Sequence, residues 1–338
     1  MQIVGDLFNI LLFVTMTGSL LTVLSCFLSR VLRLPLPLWF GICCMASYIV
    51  PITAWETWLI PPEEHSWVEG YFILCKVWAR GIFLLILLRG IRSFLGFQAF
   101  KACTPCEDPR ILDCCDKCAR QAGLLRSPSV YWGELKNPAC VLGVMRPAVI
   151  LDKSVTGQLT DHELTAVLCH EITHVKRRHM ALGAVFDYIC IINWLNPLAW
   201  IMKQEFSALC EMDCDRHTMA VLSGRITLEE YACALLRLLT LSSGNDGSPA
   251  QGMSALGFLL ARRRIRQIMS RRRKLLRIAG FAAGILGLIL AILLSLYMSR
   301  RYFYPYLSGP PEYAAATVSK ACEIRHSNFL PNKTTFVI

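Results

Sequence analysis

The sequence is short of charge: Asp, Glu, Lys and Arg make up 17% of its 338 residues, against 54% hydrophobic ones. Soluble domains carry roughly a quarter charged residues, so the deficit excludes a disordered chain and argues against an ordinary soluble one. Acidic residues are the scarcer kind, 24 against 35 basic, for a formal net charge of +11. Two connecting stretches lack one sign altogether. The one holding Arg30 and Arg33 has no acid, and the one holding Glu56, Glu63, Glu64 and Glu69 has no Lys or Arg. Nor does the first apolar stretch carry the small-residue cleavage site of a removable leader, for which it is also too long.

Long apolar runs are abundant. Residues 3–28, 36–55, 71–91 and 275–298 each approach the ~20 residues that a bilayer core demands. The basic excess is concentrated at Arg262-Arg263-Arg264-Ile265-Arg266 and Arg271-Arg272-Arg273-Lys274, directly before the last run. Such a cluster holds a helix end on the cytoplasmic side, so direct nucleic-acid binding is set aside. With Arg89, Arg92 and Lys101 after the third run, the positive-inside rule places the N-terminus outside and residues ~95–274 in the cytoplasm. Arg300 and Arg301 oppose this, but the longer basic run should dominate. The expected division is three spans in 1–95, a cytoplasmic domain in 96–274, a fourth span in 275–298 and a short outer tail in 299–338.

Sixteen cysteines would suggest a disulfide scaffold, yet most lie in the spans or the cytoplasmic part, where thiols stay reduced. Cys103, Cys106, Cys115 and Cys118 form two C-x-x-C pairs, the spacing of a structural zinc. Ile111, Leu112, Cys115, Cys118 and Ala119 also fall on one helical face, so packed thiols are expected instead of a second metal.

The cytoplasmic part opens with a helix over 108–122. Short strands follow at 129–132, 139–144 and 148–151, separated by Gly, Asn and Pro turns. Thr160 and Glu163 have capping-box spacing, and Asp161 adds a charge to the same helix start. On that helix lies His170-Glu171-Ile172-Thr173-His174. Histidines four apart share a face, one turn from each other, which suits two ligands of one Zn2+. The Glu171 carboxylate between them can accept a proton from the attacking water and pass it to a leaving amine.

A second helix should start at Asn196-Pro197 and carry Glu211 and Asp215 on one face. Glu211 supplies the third protein ligand that a zinc protease needs, and Asp215 can hold the free ring nitrogen of a ligand histidine. His179 reads as a polar helix residue. Residues 180–210 are apolar enough to suggest another span, but one crossing would put Glu211 across the bilayer from the histidines. A non-crossing helical hairpin broken at Asn196-Pro197, with arms of roughly 15 residues, about 22 Å, is the expectation. Lys76 should snorkel to the surface. Arg80 either does likewise or pairs with an acid such as Asp187. Gly280-x-x-x-Gly284 is a close-packing face, for helix contact or a homodimer.

Together these residues resemble the BlaR/MecR-type membrane metallopeptidases, the family of beta-lactam-sensing protease receptors. The likeness is carried by Asn137–Gly143 with Arg146–Leu151, by the helix of His170 and His174, and by Asn196-Pro197-Leu198-Ala199-Trp200 leading to Glu211 and Cys214-Asp215. It implies an α-helical bacterial membrane protein with an inserted α+β zincin-like domain of the gluzincin type. It further implies cleavage of a cytoplasmic protein, in relatives a transcriptional repressor. The strand of Ala139, Cys140, Val141, Leu142 and Gly143 would then be the edge on which an extended substrate docks. The tail holds no Ser-x-x-Lys acylation motif, so a signal is expected through the spans, the acidic loop, the tail or a separate sensor protein. A housekeeping or prenyl-protein-type membrane protease ranks second, where Cys214-Asp215 is usually Ala-Asp. A non-catalytic receptor or scaffold would have no need of Glu171.

Overall fold

Helix α1 (Gln2–Cys26) runs through the first apolar stretch and tightens into a π-helical turn, Phe27–Val31, in which Leu32 N–H reaches back five residues to Phe27 O at 3.1 Å. The structure, a computed structural model, describes residues 2–49, 68–133, 138–242, 255–269 and 273–298. Pro35 and Pro37 prevent α1 from continuing, and a short helix α2 (Leu38–Ala46) starts directly after Pro37. Beyond residue 49 the expected second span lies outside the described residues. Helix α3 (Val68–Lys101) contains the third expected span but runs on past it. Its 34 residues give about 51 Å, well beyond a ~30 Å hydrocarbon core. Among the described residues, two helical stretches are long and apolar enough to cross a membrane, Val14–Val31 and Leu275–Leu293, the latter within α11 (Arg273–Met298).

A small mixed sheet follows α3. Strands β1 (Thr104–Pro105), β2 (Ser129–Trp132), β3 (Ala139–Leu142) and β4 (Ala148–Leu151) are ordered β1-β2-β4-β3. β2 and β4 run parallel, whereas β3 pairs antiparallel with β4 and forms one edge. β3 ends at Leu142, two residues short of the expected strand. Gly143 has φ +93°, and a Cβ there would lie 2.6 Å from Arg146 O, so only glycine fits this reversal.

Helix α4 (Pro109–Gln121) is capped by Asp108, whose side chain accepts from Arg110 N–H. It buries Ile111, Cys115, Cys118 and Ala119 as its periodicity predicts, while Leu112, expected on that face, stays exposed. Cys115 and Cys118 point to different partners, the first to Ser127 and the second to Thr165 O. A short helix α5 (Lys153–Thr156) leads to α6 (Asp161–Lys176), and α6 with α9 (Leu228–Ser242) completes this first core.

A second core joins α1, α2 and α11 to the helical hairpin of α7 (His179–Ile192) and α8 (Pro197–Val221). At the hairpin tip, Thr15 donates to Asn193 Oδ1 at 2.8 Å and Asn196 Nδ2 donates to Ser19 at 2.9 Å. Ser19 and Thr15 precede Arg30 by 11 to 15 residues of mostly α-helix, roughly 16–23 Å. The tip therefore reaches well along α1, and the hairpin turns back as expected.

At the other end, Glu205 of α8 is 3% exposed. It accepts from Arg30 Nε at 2.5 Å, Ser29 Oγ at 3.1 Å and Arg263 Nη1 at 2.9 Å, the last from α10 (Ala255–Met269). A carboxylate this buried requires such partners.

One sequence expectation is corrected here and another is narrowed. Asp187 pairs with Arg89, at 2.9 Å, and with Lys203, not with Lys76 or Arg80. α3 meets α7 with Trp78 at the hairpin tip, donating to Ile192 O, so Arg80 lies near the tip and Arg89 reaches Asp187. The glycine face of α11 is used within the chain: a Cβ on Gly280 would lie 2.5 Å from Pro35 O, and one on Gly284 3.3 Å from Phe40. This is the close packing that the sequence allows for.

Candidate metal centre

The reciprocal capping box forms at the start of α6. Glu163 N–H donates to Thr160 Oγ1, and Thr160 N–H to Glu163 Oε2 at 2.8 Å. Leu164, Val167, Leu168 and Ile172 anchor α6 in the first core and turn His170 and His174 towards α8. Asn196 accepts from Leu198 N–H at 3.0 Å with Pro197 in the first turn, so α8 starts where the sequence predicts. Four turns on, it presents Glu211 and Asp215.

Three side chains converge between these helices, Glu211 turning one carboxylate oxygen to each histidine. His170 Nε2 lies 3.3 Å from His174 Nε2 and 3.4 Å from Glu211 Oε2, and His174 Nε2 lies 3.5 Å from Glu211 Oε1. Zinc bonds of ~2.0–2.1 Å in a tetrahedron separate ligand atoms by roughly 3.3–3.4 Å. The donor set and its spacing thus fit a tetrahedral divalent ion. Glu171 is buried on the same helix, its carboxyl pushed up to about 7 by burial, against the lowering influence of His170. The edge strand β3 packs on α6, close enough that Cys140 is pushed up to about 12 by burial and then by the Glu171 charge.

The two histidines have unlike surroundings. Behind His170, Nδ1 lies 3.3 Å from Asp215 Oδ1 and 3.1 Å from the Tyr231 hydroxyl, which itself donates to Asp215 Oδ1 at 2.9 Å. Arg264 grips Asp215 with both arms, Nε to Oδ2 at 2.8 Å and Nη2 to Oδ1 at 2.7 Å, and places Nη1 3.0 Å from Glu211 Oε2. Burial opposes charge on His170, but its hydrogen bonds to Asp215 and Glu211 prevail and raise it to about 9. Burial would likewise raise Glu211, yet the His170 hydrogen bond and the Arg264 charge hold it near 2. Behind His174 the groups are uncharged. Its Nδ1 faces His179 Nδ1 at 3.2 Å, and Cys214 Sγ is 3.3 Å from the same atom. Burial and the neighbouring His170 lower His174 to about 3.

His179, the polar helix residue of the sequence, is therefore buried against a candidate ligand, because the chain turns at Arg178 (φ +54°) and folds α7 back over α6. His174, His179 and Cys214 form a second donor group of compact size. It uses the opposite nitrogen of His174, and burial pushes the Cys214 thiol far up, so it is the poorer metal site. Tyr231 gave no sequence signal. Arg264 was hidden in a basic run that reads as a membrane-orienting signal.

Residues 47–268, about two thirds of the chain, match the family described as BlaR1 peptidase M56. The regulatory protein BlaR1 of Bacillus licheniformis is 29% identical over 142 residues, 42% of this chain and 22% of the relative. The methicillin resistance mecR1 protein of Staphylococcus aureus (strain Mu50 / ATCC 700699) and that of Staphylococcus epidermidis are each 27% identical over 128 residues, 38% of this chain and 21% of theirs. The matched region spans only about a fifth of the length of these relatives. By the extent of the family match, and with a donor set suited to a metallopeptidase, this chain belongs to the BlaR1 peptidase M56 family.

Proposed function

We propose that the chain is a membrane zinc endopeptidase that cuts a cytoplasmic protein, a transcriptional repressor, in signal-responsive gene regulation. The observation that carries the proposal is the tetrahedral spacing of His170 Nε2, His174 Nε2 and Glu211 around one point, with buried Glu171 beside them. These three side chains would hold the Zn2+ ion. When bound, the ion supplies Lewis acidity for polarising the scissile carbonyl and acidifying water. Glu171 takes a proton from the attacking water and returns it to the leaving amine, and a carboxyl near 7 is suited to both transfers. His170 Nδ1 bonds the Tyr231 hydroxyl, which donates to Asp215, and this turns Nε2 towards the ion. An extended substrate adds to the outer edge of β3, at Ala139, Cys140, Val141, Leu142 and Gly143, next to Glu171.

The regulatory part of this reading comes from the names of the relatives. The membrane arrangement is four spans, three in 1–95 and one in 275–298, with the N-terminus outside and the protease domain of 96–274 in the cytoplasm of a bacterial cell. The short tail of 299–338 then lies outside, where the tail, the acidic loop or a separate sensor protein receives the signal.

The test uses the full chain purified in detergent. Metal content is measured by emission spectroscopy, and cleavage is followed with a repressor encoded beside this gene. One zinc per chain, with cleavage lost in Glu171→Ala while zinc is kept, is the expected result. Equal cleavage by both proteins would refute the role of Glu171. Cleavage of unrelated proteins at the same rate as the repressor would replace regulation by housekeeping proteolysis.

A further inference from the structure

Arg264 stands out because it serves the centre from a helix that contributes no ligand. It is 15% exposed in its side chain, and four of its contacts are to the centre: both oxygens of Asp215, Oε2 of Glu211 at 3.0 Å and Nε2 of His170 at 3.4 Å. Its neighbour Arg263 bonds Glu205 on α8, one and a half turns before Glu211. Adjacent residues of α10 thus meet α8 at two levels.

Geometry gives the arrangement its meaning. The two oxygens of Asp215 accept three hydrogen bonds, from Arg264 Nε and Nη2 and from Tyr231, and His170 Nδ1 lies 3.3 Å from Oδ1. The planar fork of an arginine fixes the carboxylate plane, which a lysine ammonium cannot do.

We infer that Arg264 is a positioning residue of the metal centre: through its two-armed grip on Asp215 it orients His170, and α10 is part of the peptidase centre. This rests on the zinc reading above. It assigns Arg264 a role separate from the membrane-orienting charge that its sequence context suggests.

The experiment measures zinc affinity of the full chain by competition with a chromophoric chelator, so that no substrate is required. Arg264→Lys keeps the charge and removes the fork, Arg264→Met removes both, and Arg262→Met is the control on the same helix. Both Arg264 variants should lose roughly 10- to 100-fold in affinity, the usual cost of an outer-sphere partner, with the control unchanged. If Arg264 acts through Asp215, Arg264→Lys should cost little more in an Asp215→Asn background. Thermal unfolding of the zinc-free proteins separates orientation from folding, and should differ little between Arg264→Lys and wild type. Wild-type affinity in Arg264→Lys, or multiplied losses in the double variant, would overturn the inference while leaving the zinc site standing. A wild-type chain that takes up no zinc would overturn both.

Discussion

The two sides of the centre are built on opposite principles. His170 backs onto a charged network of Asp215, Arg264 and Tyr231, whereas His174 backs onto His179 and Cys214, neither of which is ionised at neutral pH. The same pentapeptide therefore supplies two imidazoles with unlike proton affinities, about 9 against about 3. A short motif sets which nitrogens converge. The distant segments that cover each ring set how strongly each is held.

The comparison can be sharpened by variants of decreasing severity. Glu171→Gln removes the proposed base and leaves the three ligands in place, so cleavage should fall about 10²- to 10⁴-fold with zinc affinity nearly unchanged. Loss of zinc together with activity would make Glu171 structural. Glu211→Ala removes a direct ligand common to both sides, and its loss of zinc affinity should exceed the ~10- to 100-fold range of outer partners. On the charged flank, Asp215→Asn should fall within that range. On the uncharged flank, His179→Ala or Cys214→Ala should cost less than about tenfold in the same titration. Equal losses on the two flanks would dissolve the distinction. Smallest in functional effect is Gly280→Leu, far from the centre, which should destabilise packing against Pro35 by about 1–3 kcal/mol and leave zinc affinity alone. A lowered detergent Tm with normal zinc content is the expected readout.

Local signals were legible in the sequence because they are local. The capping box at Thr160, the Asn196-Pro197 start and the short strands are encoded within a few residues, and each appears at its expected place except for the end of β3, which stops two residues early. The approach of Glu211 to the histidines was also readable, since the chain must return after 180–210 to complete a ligand set. Long-range choices were not legible. Nothing near Tyr231 announces that α9 will deliver its hydroxyl to Asp215, and nothing in an arginine run distinguishes Arg264 from its neighbours. Apolar helices posed the same difficulty: hydropathy measures length and greasiness, but the choice of Pro35 and Phe40 as partners for Gly280 and Gly284 depends on shape alone. The burial of His179 was not legible because it depends on a left-handed turn at Arg178, a conformation that arginine seldom adopts.

The Glu205 cluster has a mechanical consequence of its own. One anion lies between two cations, Arg30 at the end of the first helix and Arg263 on the helix before the last. Cutting either arm still leaves the hub neutralised by the other, so the assembly tolerates the loss of one guanidinium. Deleting the hub strands two positive charges against each other across the catalytic helix. Sensitivity to substitution is therefore lopsided, concentrated on a single carboxylate whose neighbours are individually expendable.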